Sequence, residues 1–149
     1  MEKLILTEKN FNRLRDLVKK NSEKFLIFTS DDDELNRKVL EKLPIKILLI
    51  PLEERKDFAK QRNSGFNEVL AKIAKKNEIE IGVSLDELIN SKTKFKIVTR
   101  LKQTIKICSK NKVQVQFIQN KEKRNLNLLK SLGLVLGMPT TMTKNLKEI

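Results

Sequence analysis

The chain has 149 residues, with 32 Lys and Arg against 19 Asp and Glu, and its net charge at pH 7 is +13. It has one Cys and no His, Trp or Tyr, which excludes an intramolecular disulfide, a histidine metal site and a catalytic triad that uses imidazole. Its hydrophobic share of 39% is that of a folded domain, and a folded domain with this charge usually binds a polyanion such as RNA, DNA or an acidic membrane surface.

Five short apolar or β-branched runs predict strands, in chain order at 3–6, 24–29, 45–50, 79–83 and 113–117. Helical spacing of apolar residues separates them, beginning after a predicted N-cap at Thr7. Ser84 and Glu87 predict a capping box at the start of a short helix. A long helix predicted over 94–110 has one apolar stripe, formed by Phe95, Val98, Leu101, Ile105 and Cys108. Cys108 is therefore expected in the core.

The order of strands and helices predicts an α/β fold of mostly parallel βα units within one domain, residues 1–149. About five units are enough for a shortened, incomplete or open TIM-like barrel. An open doubly wound sheet is the alternative, and periodicity alone does not decide between them.

No part of the sequence has the length of a membrane anchor. The apolar runs at 4–6 and 47–50 are far shorter than the h-region of a signal peptide or the roughly 20 residues of a membrane span. We therefore predict a cytoplasmic protein without a membrane partner.

Residues 52–67 (LEERKDFAKQRNSGFN) form the most informative stretch. The segment joins a predicted strand to a predicted helix, and it is long for a βα loop. It leaves the carboxyl edge of the sheet, where α/β folds bind ligands. Its hydrogen-bond donors predict phosphate binding and are concentrated at Lys60, Gln61, Arg62, Asn63 and Ser64. The alternative is a solvated loop in which Ser64 caps the next helix.

Three segments resemble ribonuclease P protein component 3 of archaea and eukaryotes. They are KQRNSGFNEVLAKIAKKNEIEIGVSLDELIN, VTRLKQTIKICSKNKVQVQFIQN and LKSLGLVLGM, and the similarity spans about 55–138. The loop KQRNSG followed by IGVSLDELIN is the most specific part. The first 50 residues have only a compatible rhythm of strands and helices, and the chain is short for the family.

The resemblance implies a barrel related to the polymerase–histidinol-phosphatase fold. It also implies a subunit of the ribonucleoprotein that removes the 5′ leader of precursor tRNA. In that particle the RNA is the catalyst and uses Mg²⁺, while the subunit binds no cofactor. The implied partners are the ribonuclease P RNA, protein component 2 and, indirectly, precursor tRNA. The chain alone is expected to be non-catalytic.

Two further basic stretches are candidate RNA contacts. At 100° per residue, the predicted long helix has a polar face opposite its apolar stripe. That face is predicted to carry Lys96, Arg100, Gln103, Lys106 and Lys110. Lys123 and Arg124, in the run KEKR after the last strand, would extend the surface at the same edge of the sheet. The alternative for each stretch is a solvated surface.

The acidic run 31–34 has two interpretations. Clustered carboxylates can hold Mg²⁺, which would make the chain a phosphoesterase or nuclease. We favour an acidic helix start that complements the helix dipole. Gly133 and Gly137 form a GxxxG motif, for which we expect close packing, with Gly137 ending a helix. A generic RNA-binding domain is the other alternative for the whole chain.

Overall fold

The computed structural model describes residues 2–53, 55–57 and 63–149. The five strands are β1 (Lys3–Leu6), β2 (Phe25–Thr29), β3 (Ile47–Leu49), β4 (Glu80–Ser84) and β5 (Val115–Ile118). The helices within the described residues are α1 (Phe11–Lys20), α2 (Asp33–Lys42), α3 (Glu68–Lys76), α4 (Leu85–Asn90), α5 (Lys94–Asn111), α6 (Leu126–Val135) and α7 (Thr140–Thr143). All five predicted strands are present, with ends shifted by up to two residues.

The five strands form one parallel sheet in the order β1-β2-β3-β4-β5. Each strand pairs with the next strand in the chain, as in the wall of a TIM-like barrel. A doubly wound sheet would instead reverse its strand order at a switch point. The predicted α/β fold with a shortened, TIM-like arrangement is confirmed, and the doubly wound alternative is wrong.

Alternation along the strands divides the apolar residues between two faces of the sheet. Leu26 and Phe28 of β2 join the main core with the helices, whereas Ile27 packs with Ile47 and Ile118 on the opposite face. Gly82 makes that second contact possible. A Cβ atom there would lie 2.7 Å from Ile47 Cγ2 and 2.9 Å from Ile118 Cγ1. The second face is thus tightly packed across neighbouring strands.

The segment after α7 runs along β5. The amide of Gln116 donates to Asn145 O at 3.0 Å, and its Oε1 accepts from Lys147 N at 3.0 Å. Further along, Gln119 N donates to Ile149 O at 2.9 Å. Lys3 Nζ of β1 reaches Gln119 O at 3.1 Å. The outer edge of β5 is therefore bordered by the last residues of the chain and touched by β1.

The predicted ends of two helices have different outcomes. Asn10, not Thr7, caps α1, because its Oδ1 accepts from Arg13 N at 3.1 Å. Gly137 follows α6 as predicted, at φ +98, which a residue with a side chain rarely adopts. Gly133 packs closely, since a Cβ there would lie 2.8 Å from Met138 Sδ.

Within the described ranges, no helix has both the length and the apolar character needed to cross a bilayer.

Candidate nucleic-acid interface

The loops that follow the strands collect at one edge of the sheet, because all five strands are parallel. The loop between Leu49 and Glu68 leaves β3 there, and the KEKR run leaves β5 at the same edge. The structure joins the β5 exit to α4 through Asp86. Its carboxylate accepts from Lys121 N at 3.0 Å and from Glu122 N at 2.8 Å. These contacts fix the backbone from which Lys123 and Arg124 project.

The buried side chain of Arg100 bonds to three residues at the start of the long loop. Its Nη1 donates to Leu52 O and its Nη2 to Arg55 O, both at 2.6 Å, and Nη2 also lies 3.1 Å from Asp57 Oδ1. Arg100 is 2% exposed, so the prediction that it lies on the polar face of α5 is wrong. The guanidinium compensates its burial by bonding a carboxylate and two carbonyls. Arg100 therefore shapes the loop and is not available to RNA.

A second arginine, Arg55, folds back over the loop. Its Nη1 donates to Asp33 Oδ1 at 3.1 Å and its Nε donates to Pro51 O. The guanidinium lies against Gly65, where a Cβ would come within 2.4 Å of Arg55 Cζ. Gly65 also has φ +72. Gly65, the glycine of the KQRNSG motif, thus turns the backbone at positive φ and packs directly against the Arg55 guanidinium.

Asn63 and Ser64 make hydrogen bonds to other residues of the loop. Asn63 N donates to Asp57 Oδ1 and its Oδ1 accepts from Gly65 N, both at 2.9 Å. Ser64 is 1% exposed, and its Oγ donates to Phe66 O at 3.2 Å. The prediction that Ser64 contacts RNA is therefore wrong, and the alternative that it caps α3 is also wrong, because Asn67 is the cap. Lys60, Gln61 and Arg62 lie outside the described residues, so their role stays a prediction.

Glu87 attaches the first part of the loop to α4. Its carboxylate accepts from Leu52 N at 3.1 Å and from Glu53 N at 3.3 Å. Burial raises the pKa of Glu87, and the two backbone donors oppose that shift. Only half of the predicted capping box forms, because Ser84 Oγ accepts from Glu87 N while the glutamate binds the loop. The Glu87 side chain thus binds the backbone of the distant loop instead of completing the local capping box.

The exposed face of α5 is strongly basic. Lys96, Lys106 and Lys110 are exposed as predicted, Gln103 is half-buried, and Lys102 is an exposed residue that the sequence analysis missed. The 18-residue helix contains no Asp or Glu. Lys110 Nζ pairs with Glu68 Oε1 at 2.9 Å, and Arg124 Nη1 pairs with Glu122 Oε2 at 3.3 Å. Exposed pairs of this kind are weak, so both cations remain able to bind phosphate.

The apolar stripe of α5 is turned relative to the prediction. Ile97, Leu101, Ile105 and Cys108 are buried, whereas Phe95 is 73% exposed. The placement of Phe95 in the core is therefore wrong. The placement of Cys108 in the core is confirmed, and burial raises the pKa of its thiol.

The acidic run forms the start of α2. Asp32 Oδ1 accepts from Glu34 N at 3.1 Å and from Leu35 N at 3.2 Å, which makes Asp32 the N-cap. Asp33 pairs with Arg55. Nowhere in residues 2–53, 55–57 and 63–149 do three or more His, Cys, Asp or Glu side chains come together as a metal would need. The interpretation of the run as a helix start is confirmed.

Comparison with known proteins gives two relatives from Methanosarcina. The chain is 32% identical over 114 residues to ribonuclease P protein component 3 of Methanosarcina acetivorans, and 32% identical over 109 residues to the protein of the same name from Methanosarcina mazei. These alignments cover 74% and 70% of the chain, but only 45% and 43% of the relatives. The chain thus spans about half the length of the relatives that it matches. No family model matches it.

A solved structure has the same fold. A chain in the cryo-EM structure of archaeal ribonuclease P with mature tRNA superposes with a TM-score of 0.79 at 23% identity. The superposition covers 95% of this chain and 62% of that one. The resemblance to ribonuclease P protein component 3, drawn above from three segments of the sequence, is confirmed.

Proposed function

We propose that the chain acts as a protein subunit of ribonuclease P, the enzyme that removes the 5′ leader of precursor tRNA. The observation that carries the proposal is its 32% identity over 114 residues to ribonuclease P protein component 3. The net charge of +13 and the acid-free helix α5 support binding to RNA. The assembly is expected in the cytoplasm, with residues 1–149 acting as one domain.

The chain supports the RNA and does not perform the chemistry. It has no His, and in its acidic run Asp32 caps α2 and Asp33 pairs with Arg55. The catalyst is then the RNA component with its own Mg²⁺, and no cofactor is bound by the chain. Protein component 2 is the proposed protein partner, and precursor tRNA is met through the assembled particle.

Two basic surfaces at and beside the carboxyl edge are proposed to contact the RNA. The first is the long loop with its cations, together with the exit of β5. The second is the exposed face of α5. The proposed contacts are Lys60, Gln61, Arg62, Lys96, Lys102, Lys106, Lys110, Lys123 and Arg124. Arg100, Asn63 and Ser64 hold the loop in place, so their effect on RNA is indirect.

The role in ribonuclease P is tested by reconstitution. Purified chain, component 2 and ribonuclease P RNA are combined with precursor tRNA and Mg²⁺, and removal of the 5′ leader is measured. We expect the chain to raise the rate above that of RNA with component 2 alone. No effect on the rate would contradict the proposal. Specific cleavage by RNA-free chain would instead indicate the Mg²⁺-dependent phosphoesterase.

The loop contacts are tested by salt dependence. Lys60→Ala and Arg62→Ala should each weaken RNA binding and lower the slope of log affinity against log salt by about one unit. Lys20→Ala is the matched control, because Lys20 is exposed at the end of α1, which precedes β2 and so lies toward the amino edge of the sheet, away from the loops at the carboxyl edge. Unchanged slopes for both loop variants would exclude the loop as a phosphate contact. Equal binding to unrelated RNA would favour a generic RNA-binding domain.

A further inference from the structure

The outer face of α6 is apolar. Val135 is 79% exposed, and Leu128 and Leu134 are each 52% exposed. Among the described residues, α6 thus carries three of the six large apolar side chains that are exposed. Leu132 of the same helix is half-buried. Single exposed apolar residues are common in proteins, but a group of them on one helix indicates a surface that meets another molecule.

The same helix lacks the charges of an ordinary surface helix. Only one of its ten residues is charged, Lys130, whereas 34% of the whole chain is charged. Leu128, Leu132 and Val135 follow the spacing i, i+4, i+7, so they form one stripe along α6. This α6 stripe runs over two helical turns and contains neither a charge nor an aromatic ring.

A groove between α5 and the end of α6 adjoins the α6 stripe at Val135. Its volume is about 400 Å³, and its apolar lining comes from Ile105, Val135 and Leu136. Its charged lining is Lys102 and Lys106, and its other two described residues, a serine and a glycine, are uncharged. In the part of the chain that the structure describes, neither lysine is in an ion pair. The groove therefore combines an apolar lining with positive charge on the α5 side.

We propose that the α6 stripe and this groove dock an amphipathic helix of a partner protein, whose acidic border faces Lys102 and Lys106. A helix with apolar residues at the same spacing can lay them along the stripe, as in other helix-in-groove contacts. The two lysines favour Asp and Glu at the border of that helix and oppose Lys and Arg. The proposal rests on the subunit role given above and adds the place and the chemistry of one protein contact.

Two other occupants fit this surface less well. RNA presents phosphates and bases, and the α6 stripe has neither a cation nor an aromatic ring to receive them. A second copy of the chain would bring a further charge of +13, and its α6 has no acidic residue to meet Lys102 and Lys106. These two lysines are also proposed RNA contacts, since a flexible lysine between two surfaces can serve either. Peptide binding and RNA binding are therefore measured separately.

The test uses a labelled model peptide of about 18 residues, which is long enough to become helical when bound. Its leucines follow the spacing i, i+3, i+4, i+7, and glutamates border them. One control peptide has lysine in place of each glutamate, and another has the same composition in scrambled order. Anisotropy should show saturable binding of the glutamate peptide to the full chain. Both control peptides should bind at least about tenfold more weakly.

Variants of the chain locate the binding. Leu128→Gln combined with Val135→Gln should weaken binding of the glutamate peptide by about tenfold or more, because the stripe loses its apolar contacts. The melting temperature should not fall, since both side chains are more than half exposed. Val69→Gln is the matched control, because Val69 is 51% exposed on α3, outside the stripe and the groove, and it should leave peptide binding unchanged.

The acidic border is tested by removing the lysines. Lys102→Gln combined with Lys106→Gln should reduce the difference in affinity between the glutamate and the lysine peptides. Lys75→Gln combined with Lys76→Gln removes the same net charge from exposed positions of α3 and should preserve that difference. An equal reduction in both pairs of variants would overturn the acidic border, because only the net charge of the chain would then matter.

Three further outcomes would overturn the docking surface. The first is absence of saturable peptide binding, or equal binding by the unmodified chain and the Leu128→Gln, Val135→Gln variant. The second is self-association of the chain in sedimentation that this variant abolishes, because the occupant would then be a second copy. The third is weaker RNA binding by this variant, because the stripe would then contact RNA. None of them changes the reconstitution result described above, which decides the ribonuclease P role by itself.

Discussion

Arg100 Nη2 of α5 lies 3.1 Å from Asp57 Oδ1, and this ion pair joins the longest helix to the loop that follows β3. Removing the guanidinium would break its ion pair with the Asp57 carboxylate and its hydrogen bonds to the carbonyls of Leu52 and Arg55. We expect Arg100→Met to lower the free energy of unfolding by about 3 kcal/mol, the range for breaking one side of a buried pair. Urea denaturation measures it.

Lys106→Met is the control for this prediction, because Lys106 is exposed on the same helix and should change stability by less than about 0.5 kcal/mol. Below its melting temperature, the Arg100 variant should also bind RNA more weakly, because the loop loses its support. A lower salt slope with unchanged stability would mean that Arg100 contacts phosphate directly.

Gly65 and Gly137 form a matched pair for a second prediction. Both have positive φ, +72 and +98, but only Gly65 has a neighbour within 4 Å, the Arg55 guanidinium. Gly137→Ala should cost about 1 kcal/mol, from backbone strain alone. Gly65→Ala should cost more, because it also displaces the arginine from Asp33. Thermal denaturation of both variants gives the comparison.

Arg55→Ala removes the obstructing group. In that background the additional cost of Gly65→Ala should fall to that of Gly137→Ala, and the coupling can be read from a double-mutant cycle. If the two costs of Gly65→Ala are equal with and without Arg55, the arginine does not constrain the glycine.

Cys108 should be inert in the folded protein. It is fully buried, and burial raises the pKa of its thiol, so at neutral pH both access and the thiolate are lacking. A thiol reagent at pH 8 should label the native chain far more slowly than the chain in urea. Cys108→Ala should cost about 1 kcal/mol for the small cavity and leave RNA affinity unchanged. Rapid native labelling would contradict the burial of this side chain.

Asp86 should make the joint between α4 and the β5 exit dependent on pH. Burial alone would raise its pKa, but backbone N–H donors from Lys121, Glu122 and Asn120 outweigh burial and lower it. A lowered folded-state pKa gives stability that is present above the unfolded value of 3.8 and is lost as the pH falls through the folded value. Asp86→Asn should therefore be less stable than the unmodified chain at pH 7, by about 1 kcal/mol.

The difference between Asp86→Asn and the unmodified chain should shrink as the pH falls below about 4, because the unfolded chain then takes up a proton that the folded carboxylate resists. It should vanish once the pH is below the lowered folded-state pKa as well, where the carboxyl is neutral in both states. Urea denaturation at pH 7 and near pH 3 tests this. A difference that is constant over that range would mean that the charge of Asp86 makes no contribution.

The sequence predicts the strands well and the faces of α5 less well. Short β-branched runs between helical patterns have few alternatives, so all five strands can be identified. In α5, counting the large apolar residue Phe95 as part of the apolar stripe shifts the predicted buried face away from the face that is buried in the structure. Helical spacing assigns Arg100 to the polar face of α5. The general rarity of buried arginine without partners favours the same assignment. The partners of Arg100 lie 43 to 48 residues earlier in the chain, and no local pattern reveals contacts at that separation.

The composition of the loop identifies it as a site, but not the separate roles of its residues. Asn63 and Ser64 are polar donors like Lys60 and Arg62, and sequence cannot tell which donors bond within the loop. The structure separates them, since Ser64 is buried and Asn63 bonds to Asp57. Periodicity also leaves the strand order open, because parallel βα units have the same pattern whether the sheet is singly or doubly wound.

The sequential order of the sheet has a consequence for how the chain folds. Each strand pairs with its neighbour in the chain, so every unit can add to the one before it with a short loop closure. The hydrogen bond between Lys3 and Gln119 is different, as it joins residues 116 positions apart. Early folding should therefore spread between adjacent units at low contact order. The contact between β1 and the residues after β5 would then form late in folding. Removing it would therefore raise the unfolding rate more than it lowered the folding rate.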